Sequence, residues 1–198
     1  FSSETPKWNT ITYDESVFPP IGTATSFNGK KVESKVDGRT SIITELNGYK
    51  RVTKKTTDAL GNVIQSEDKG GTIQFTYNAA GQNLTATYGT NVVTTTYDTW
   101  GRKASFHDPS NGLYSYTYHG FGQLNRETSP KGYKEYGYNN LGQLKTQIEK
   151  SSDVTSTDKS ITFTYDNKGR ITNRQGTSNG KAFSSYINYD AQGRDRKS

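Results

Sequence analysis

One phrase recurs along this chain and limits what the chain can fold into. It reads aromatic, then Asp or Asn, two variable residues, Gly, a polar residue and often an aliphatic soon after. The copies are Tyr77-Asn78-Ala79-Ala80-Gly81-Gln82, Tyr97-Asp98-Thr99-Trp100-Gly101-Arg102 and Tyr118-His119-Gly120-Phe121-Gly122-Gln123. They continue as Tyr138-Asn139-Asn140-Leu141-Gly142-Gln143, Tyr165-Asp166-Asn167-Lys168-Gly169-Arg170 and Tyr189-Asp190-Ala191-Gln192-Gly193-Arg194. A degenerate first copy, Thr57-Asp58-Ala59-Leu60-Gly61-Asn62, has Thr in the Tyr place, and from it the copies are spaced 20, 20, 21, 20, 27 and 24 residues. Such a period marks a repeat architecture.

The phrase has a direct physical meaning. Asp or Asn at the first position and Gly at the fourth suit a type I turn. The short side chain accepts backbone N–H bonds, and Gly takes the positive φ that returns the chain into a bulged hairpin. Each copy is therefore expected to be a hairpin tip rather than a binding loop. Before each Tyr runs an alternating trio, such as Ile73, Phe75, Tyr77 or Tyr114, Tyr116, Tyr118. Period-two spacing puts each trio on one sheet face and Thr76, Thr94, Thr96, Thr117, Thr162 and Thr164 on the other. The last trio is Ser185, Ile187, Tyr189.

Two residues after the Gly stand Val63, Leu124, Leu144 and Ile171, but in two copies that slot holds Asn83 or Lys103, followed by Leu84 or Ala104. The slip in those two copies reads as a bulge, because a true register slip would turn the strand over. The longest interval absorbs its extra length at 150–159, a polar stretch expected to be mobile. Residues 1–55 fit less cleanly. Pro19-Pro20 breaks any strand there, while Lys30–Lys35, Arg39–Leu46 and Tyr49–Thr56 read as short strands separated by Asn28-Gly29, Asp37-Gly38 and Asn47-Gly48. The expected organisation is 1–55 as diverged or irregular N-terminal repeats and 56–198 as about seven hairpin units.

Composition agrees with a thin sheet. The 198 residues are 29% hydrophobic, below the usual share of about 45–50%. Yet 14 Tyr, 8 Phe and 2 Trp supply buriable surface that disordered chains lack. With no Cys, disulfides, thiolate metal sites and cysteine nucleophiles are excluded. A chain without Met that opens at Phe1 reads as a processed or excised piece. No apolar run approaches a membrane span of roughly 18 residues. The net charge of +6 lies in the second half, where fifteen basic and nine acidic residues stand against ten and ten in residues 1–99. That is milder than the stripe of a nucleic-acid binder, and Arg102, Arg170 and Arg194 follow the turn Gly as structural residues would, so nucleic acid ranks last among partners.

With these residues in hand, the chain resembles the RHS/YD-repeat family. The resemblance rests on the Tyr-[Asp/Asn]-x-x-Gly-[Arg/Gln] phrases, their period and the segment Thr56–Val63, over about Thr56 to Arg194. It implies an all-β fold of antiparallel β-hairpin repeats forming a curved, open segment of a β-shell. Members are large secreted or surface proteins of bacteria, with teneurins as animal relatives, and in toxin members the shell encloses a cytotoxic C-terminal domain. The implied function is structural, with the rest of the same shell, its cargo and a secretion or surface complex as partners. The family's Asp-Pro-rich core motif near the shell end is missing, and Asp108-Pro109 is an isolated turn dipeptide. A two-strand repeat advances about 9.6 Å across a sheet, so seven copies make roughly 65 Å of panel, too little for a closed shell.

Chemistry finds little footing. His107-Asp108 reads as a solvated turn pair, and His119 occupies a turn position. Acid pairs Asp14-Glu15 and Glu67-Asp68 would point to opposite faces of a strand. No calcium-loop pattern is present. Gly70-Gly71 and Gly120-Phe121-Gly122 lack the strand-to-helix context of a phosphate loop. Asn83-Leu84-Thr85 matches a glycosylation sequon. No enzyme activity, cofactor or metal is expected. The structural residues of the motif are Tyr77, Asn78, Gly81, Tyr97, Asp98, Gly101, Tyr118, Gly122, Tyr138, Asn139, Gly142, Tyr165, Asp166, Gly169, Tyr189, Asp190 and Gly193. The alternative function is cell-surface adhesion or carbohydrate binding, with Trp8 and Trp100 as the glycan-contact residues.

Overall fold

The computed structural model describes residues 9–153 and 157–196. Trp8 lies outside the described residues, as do positions 154–156 within the long interval. The chain divides into two compact units, Phe1–Thr94 and Thr95–Ser198. Both are all-β, as the repeat demands.

In the first unit the strands are β1 (Thr10–Asp14), β2 (Ile21–Thr25), β3 (Lys31–Asp37), β4 (Thr40–Glu45), β5 (Val52–Thr57), β6 (Val63–Asp68), β7 (Gly71–Tyr77), β8 (Asn83–Tyr88) and the start of β9 (Asn91–Tyr97). Each pairs antiparallel with the next in sequence, from Thr10↔Thr25 on β1–β2 to Thr85↔Thr94 on β8–β9. The second unit repeats the pattern. It holds the end of β9, then β10 (Lys103–Asp108), β11 (Gly112–Tyr118), β12 (Leu124–Ser129), β13 (Gly132–Tyr138), β14 (Leu144–Ser151), β15 (Lys159–Tyr165), β16 (Ile171–Ser178) and β17 (Lys181–Tyr186). These too run as an antiparallel meander. Within each unit the registers follow the chain and never return to its first strand, so the sheet is open.

No described hydrophobic residue is fully buried. A single layer has no second layer to pack against, so its stability must come from the ladder and from side chains lying along it. The two faces still differ as the alternation requires. On β11, Tyr114, Tyr116 and Tyr118 are half-buried, while Leu113, Ser115 and Thr117 between them are exposed. Hydroxyl pairs tie the opposite face across strands, with Thr76 to Thr85 and Thr96 to Ser105 both 2.6 Å apart.

Three expectations need correction. The bulge is not confined to two copies but recurs at five tips, whereas at the last tip Asn188↔Arg196 and Tyr189↔Asp195 keep one register. The shift falls between Thr56 and Thr57, Thr76 and Tyr77, Thr117 and Tyr118, Gly137 and Tyr138, and Thr164 and Tyr165. In each case the motif aromatic (Thr57 in the first) faces the residue two after the Gly, and the next residue is the extra one. Leu84 occupies that extra place, as Ile64, Asn125, Lys145 and Thr172 do in their copies. The polar stretch at 150–159 is also shorter than the sequence suggests. Lys150 closes a salt bridge to Asp158 at 2.8 Å, and the Ser151 N–H donates to Asp158 at 3.0 Å. Strand β14 runs on to Ser151 and β15 starts at Lys159. The third concerns Ser185, Ile187, Tyr189, which do not share one strand. β17 ends at Tyr186, and β18 (Asn188–Tyr189) pairs with β19 (Asp195–Arg196) as a separate small sheet.

Candidate functional site

The motif residues gather at one end of each hairpin. At every tip the first-position N–H donates to the carbonyl four residues on, as Asn139 does to Gln143 at 2.9 Å, and the Gly N–H returns to the first carbonyl. Gly81, Gly101, Gly122, Gly142, Gly169 and Gly193 all take positive φ, between 76° and 84°. The Asp or Asn side chain then fills the turn. Oδ1 of Asn78, Asp98, Asn139, Asp166 and Asp190 each accepts the N–H groups two and four residues ahead at 2.9–3.0 Å. These donors are thus satisfied locally.

The remaining atom of that side chain selects the residue after the Gly. Asp98, Asp166 and Asp190 accept from the guanidinium Nε of Arg102, Arg170 and Arg194 at 2.7 Å each. Asp58 accepts from the Asn62 amide at 2.9 Å. Where the first residue is Asn, its Nδ2 must donate, and the partner becomes Gln: Asn78 to Gln82 at 2.9 Å and Asn139 to Gln143 at 2.8 Å. Partial burial works to raise the Asp98 pKa, but the Arg102 N–H and guanidinium and the Trp100 N–H outweigh it and hold the carboxyl below its ordinary value. Asp166 and Asp190 are lowered chiefly by the N–H of the Arg four residues on.

The tips are also joined to one another. The Tyr77 hydroxyl donates to the Val63 carbonyl at 2.7 Å. In the second unit Tyr118 donates to Lys103 at 2.8 Å, Tyr138 to Leu124 at 3.0 Å, Tyr165 to Leu144 at 2.6 Å and Tyr189 to Ile171 at 2.9 Å. Each acceptor is the residue two after the Gly of the preceding repeat. Burial and the Asp98 carboxylate push the Tyr118 phenol up against the pull of Arg102, which keeps it a donor. Guanidinium groups add a second tie, with Arg102 4.6 Å from the Tyr118 ring centre and Arg170 4.2 Å from that of Tyr189. Gln123 and Gln143 reach forward to the carbonyls of Gly142 and Gly169 at 2.9 and 3.1 Å. His119, the turn variant, stands edge-on to the Tyr138 ring at 5.6 Å. Tyr97 is half-buried at the end of β9, immediately before the Asp98 turn.

Outside this seam the candidate residues stay apart. Trp100 is 82% exposed at its tip. The position before the turn Gly also carries Leu60, Phe121 and Leu141, at 79%, 98% and 83% exposure. Sequence reasoning singled out Trp100 alone, although all four share one place in the phrase. Asp108 caps its own turn by accepting from the Ser110 N–H and the Asn111 amide at 2.8 Å each. Asn83 of the sequon sits in β8, its amide donating to the Thr85 carbonyl at 3.1 Å. Among the described residues no group of three or more His, Cys, Asp or Glu is placed to hold a metal ion.

Comparison with known proteins follows the same seam. A search of curated proteins finds no match. Among solved structures the fold is similar to that of TcdB2-TccC3 without its hypervariable C-terminal region, with TM-score 0.53 and 13% identity over 95% of this chain. It is also similar to TcdB2-TccC3-TEV, with TM-score 0.50 and 15% identity over 91% of this chain. In both cases the chain spans 15% of the length of the structure it matches. The Teneurin YD-shell family model matches residues 32–190, which takes in the first six tips and the start of the seventh, and the chain belongs to that family.

Proposed function

We propose that this chain is wall material: a run of YD repeats contributing to a hollow β-shell that encapsulates or presents a C-terminal toxin or effector. The observation that carries this reading is the seam. Tyrosine hydroxyls and glutamine amides run along the sheet from one tip to the next, and no described hydrophobic residue beneath them is fully buried. Such a sheet extends by adding repeats and gains nothing from a catalytic centre, so the proposed role is structural rather than enzymatic. Its partners are then the rest of the same shell, the enclosed cargo and a secretion or surface complex, in a secreted or surface-displayed bacterial protein. The division into diverged repeats at 1–55 and regular ones at 56–198 is part of the same proposal.

Limited proteolysis of the parent protein tests it. The segment C-terminal to the repeats should resist digestion while the wall is folded and be cut once the wall is denatured. Immediate digestion under native conditions would contradict the reading. A second reading, carbohydrate or cell-surface contact, is favoured by the exposure of Trp100 on a tip whose backbone Asp98 fixes. Binding on a glycan array that disappears in Trp100→Ala would support it.

A further inference from the structure

Four Asn-Gly pairs occur in the chain: Asn28-Gly29, Asn47-Gly48, Asn111-Gly112 and Asn179-Gly180. All four asparagines are exposed in turns. Exposure therefore does not distinguish them, but hydrogen bonding does. The Asn28 Oδ1 accepts from the Ser26 hydroxyl and from the Lys30 N–H, and the Gly29 N–H is engaged by the Ser26 carbonyl at 2.8 Å. Asn47 is held at both ends, donating to the Gly29 carbonyl at 2.8 Å and accepting from the Lys31 N–H at 2.9 Å. Asn111 donates to Asp108 Oδ2 at 2.8 Å, and Gly112 is in ladder register with Asp108.

Asn179-Gly180 differs on each count. It is the two-residue loop between β16 and β17, with Ser178 paired to Lys181 and both loop residues at positive φ, 51° and 73°. That is the type I′ geometry, which selects Asn-Gly because Asn tolerates the left-handed region and Gly has no Cβ. Among the described residues no hydrogen bond restrains the Asn179 amide, and the Gly180 N–H meets no backbone acceptor. Strand β17 beyond it is exposed along its whole length.

We infer that Asn179 is the site of spontaneous deamidation in this protein. The Gly180 nitrogen, having lost its proton to solvent base, attacks Asn179 Cγ. A Cγ–N bond forms, the Cγ–Nδ2 bond breaks and ammonia leaves, closing a five-membered succinimide. Water then opens either carbonyl, giving aspartate or isoaspartate. Water enters and ammonia leaves, with no oxidant or reductant. The product adds a negative charge, and its isoaspartyl form lengthens the main chain by a methylene at a turn with no residue to spare. The hairpin β16–β17 is therefore the part of the wall that ages first. The turn geometry favours at this loop a dipeptide prone to this chemistry and leaves it unrestrained.

The test is incubation of the folded chain at mildly alkaline pH, followed by peptide mapping and mass spectrometry at all four sites. Asn179 should convert several-fold faster than Asn28, Asn47 and Asn111, and the gap should narrow in denaturant. Conversion of any of the other three at the same rate in the folded chain would overturn the inference. So would an undiminished lead of Asn179 in denaturant, because the folded contacts would then not be the cause. Asp108→Ala supplies an independent arm. Removing the acceptor of the Asn111 amide should raise conversion at Asn111 several-fold, and no rise would overturn the protective role assigned to that bond.

Discussion

At the tip between β11 and β12, Gly122 stands at φ 84° with open space where a Cβ would project. At the opposite end of the next hairpin, Gly132 stands at φ 132°, and a Cβ there would overlap the Lys150 carbonyl oxygen on the neighbouring strand β14. One glycine answers to its own turn and the other to the next hairpin. Tip turns are closed modules, filled by their own Asp or Asn and stitched forward by side chains. Far turns are shaped by whatever strand arrives beside them, as where a Cβ on Gly112 would meet the Pro130 ring.

Substitution should separate the two ends. The largest effect is expected from Gly132→Ala, which combines an unfavourable φ with overpacking of about 1–3 kcal/mol. Gly122→Ala should lose about 1–2 kcal/mol, the left-handed penalty alone. Urea denaturation followed by far-ultraviolet circular dichroism would rank them. Equal losses would mean that the Lys150 contact does not shape the far turn.

A smaller effect is expected from Tyr138→Phe, which removes the hydroxyl bond to Leu124 while keeping the ring. A loss of about 0.5–1.5 kcal/mol is expected. The Tyr13 hydroxyl makes no described bond, so Tyr13→Phe should be close to silent in the same titration and serves as the control.

How much of this was open to reading follows from the same contrast. Tips are local: Asp98, Gly101 and Arg102 lie within five residues, and turn chemistry writes itself into residue type. The link from Tyr138 to Leu124 is different, because its acceptor is a backbone carbonyl and any residue would supply one. The bulge at five of the tips was hidden for a similar reason, since the extra position tolerates Ile64, Leu84, Asn125, Lys145 and Thr172 alike. The choice of Arg after an Asp turn and Gln after an Asn turn did stand in the sequence. It gains meaning only when Oδ2 or Nδ2 is seen to need a partner of the opposite kind. Trp100 could be picked out as a large residue at a variable position, but the equivalence of Leu60, Phe121 and Leu141 required the tips to be seen side by side.

The smallest effect separates the two kinds of tip. In Asp98, Asp166 and Asp190 the folded carboxyl pKa lies below the ordinary 3.8. Their contribution to stability is therefore complete above the unfolded value and is lost as pH falls through the folded one. Asn78 and Asn139 carry no titrating group and contribute nothing to this slope. Converting the Asp98 tip to the other pairing, with Asp98→Asn and Arg102→Gln together, should flatten the acid limb of stability slightly and leave neutral stability near its starting value. An unchanged acid limb would show that the pairing is not linked to folding.

The central claim is that at five tips a tyrosine hydroxyl holds the repeat to the one before it. Replacing Tyr77, Tyr118, Tyr138, Tyr165 and Tyr189 together by Phe keeps every ring and deletes five described links. The account predicts a retained β signature with a denaturation midpoint well below the parent chain, at about 0.5–1.5 kcal/mol for each hydroxyl. A midpoint equal to that of the parent would contradict it.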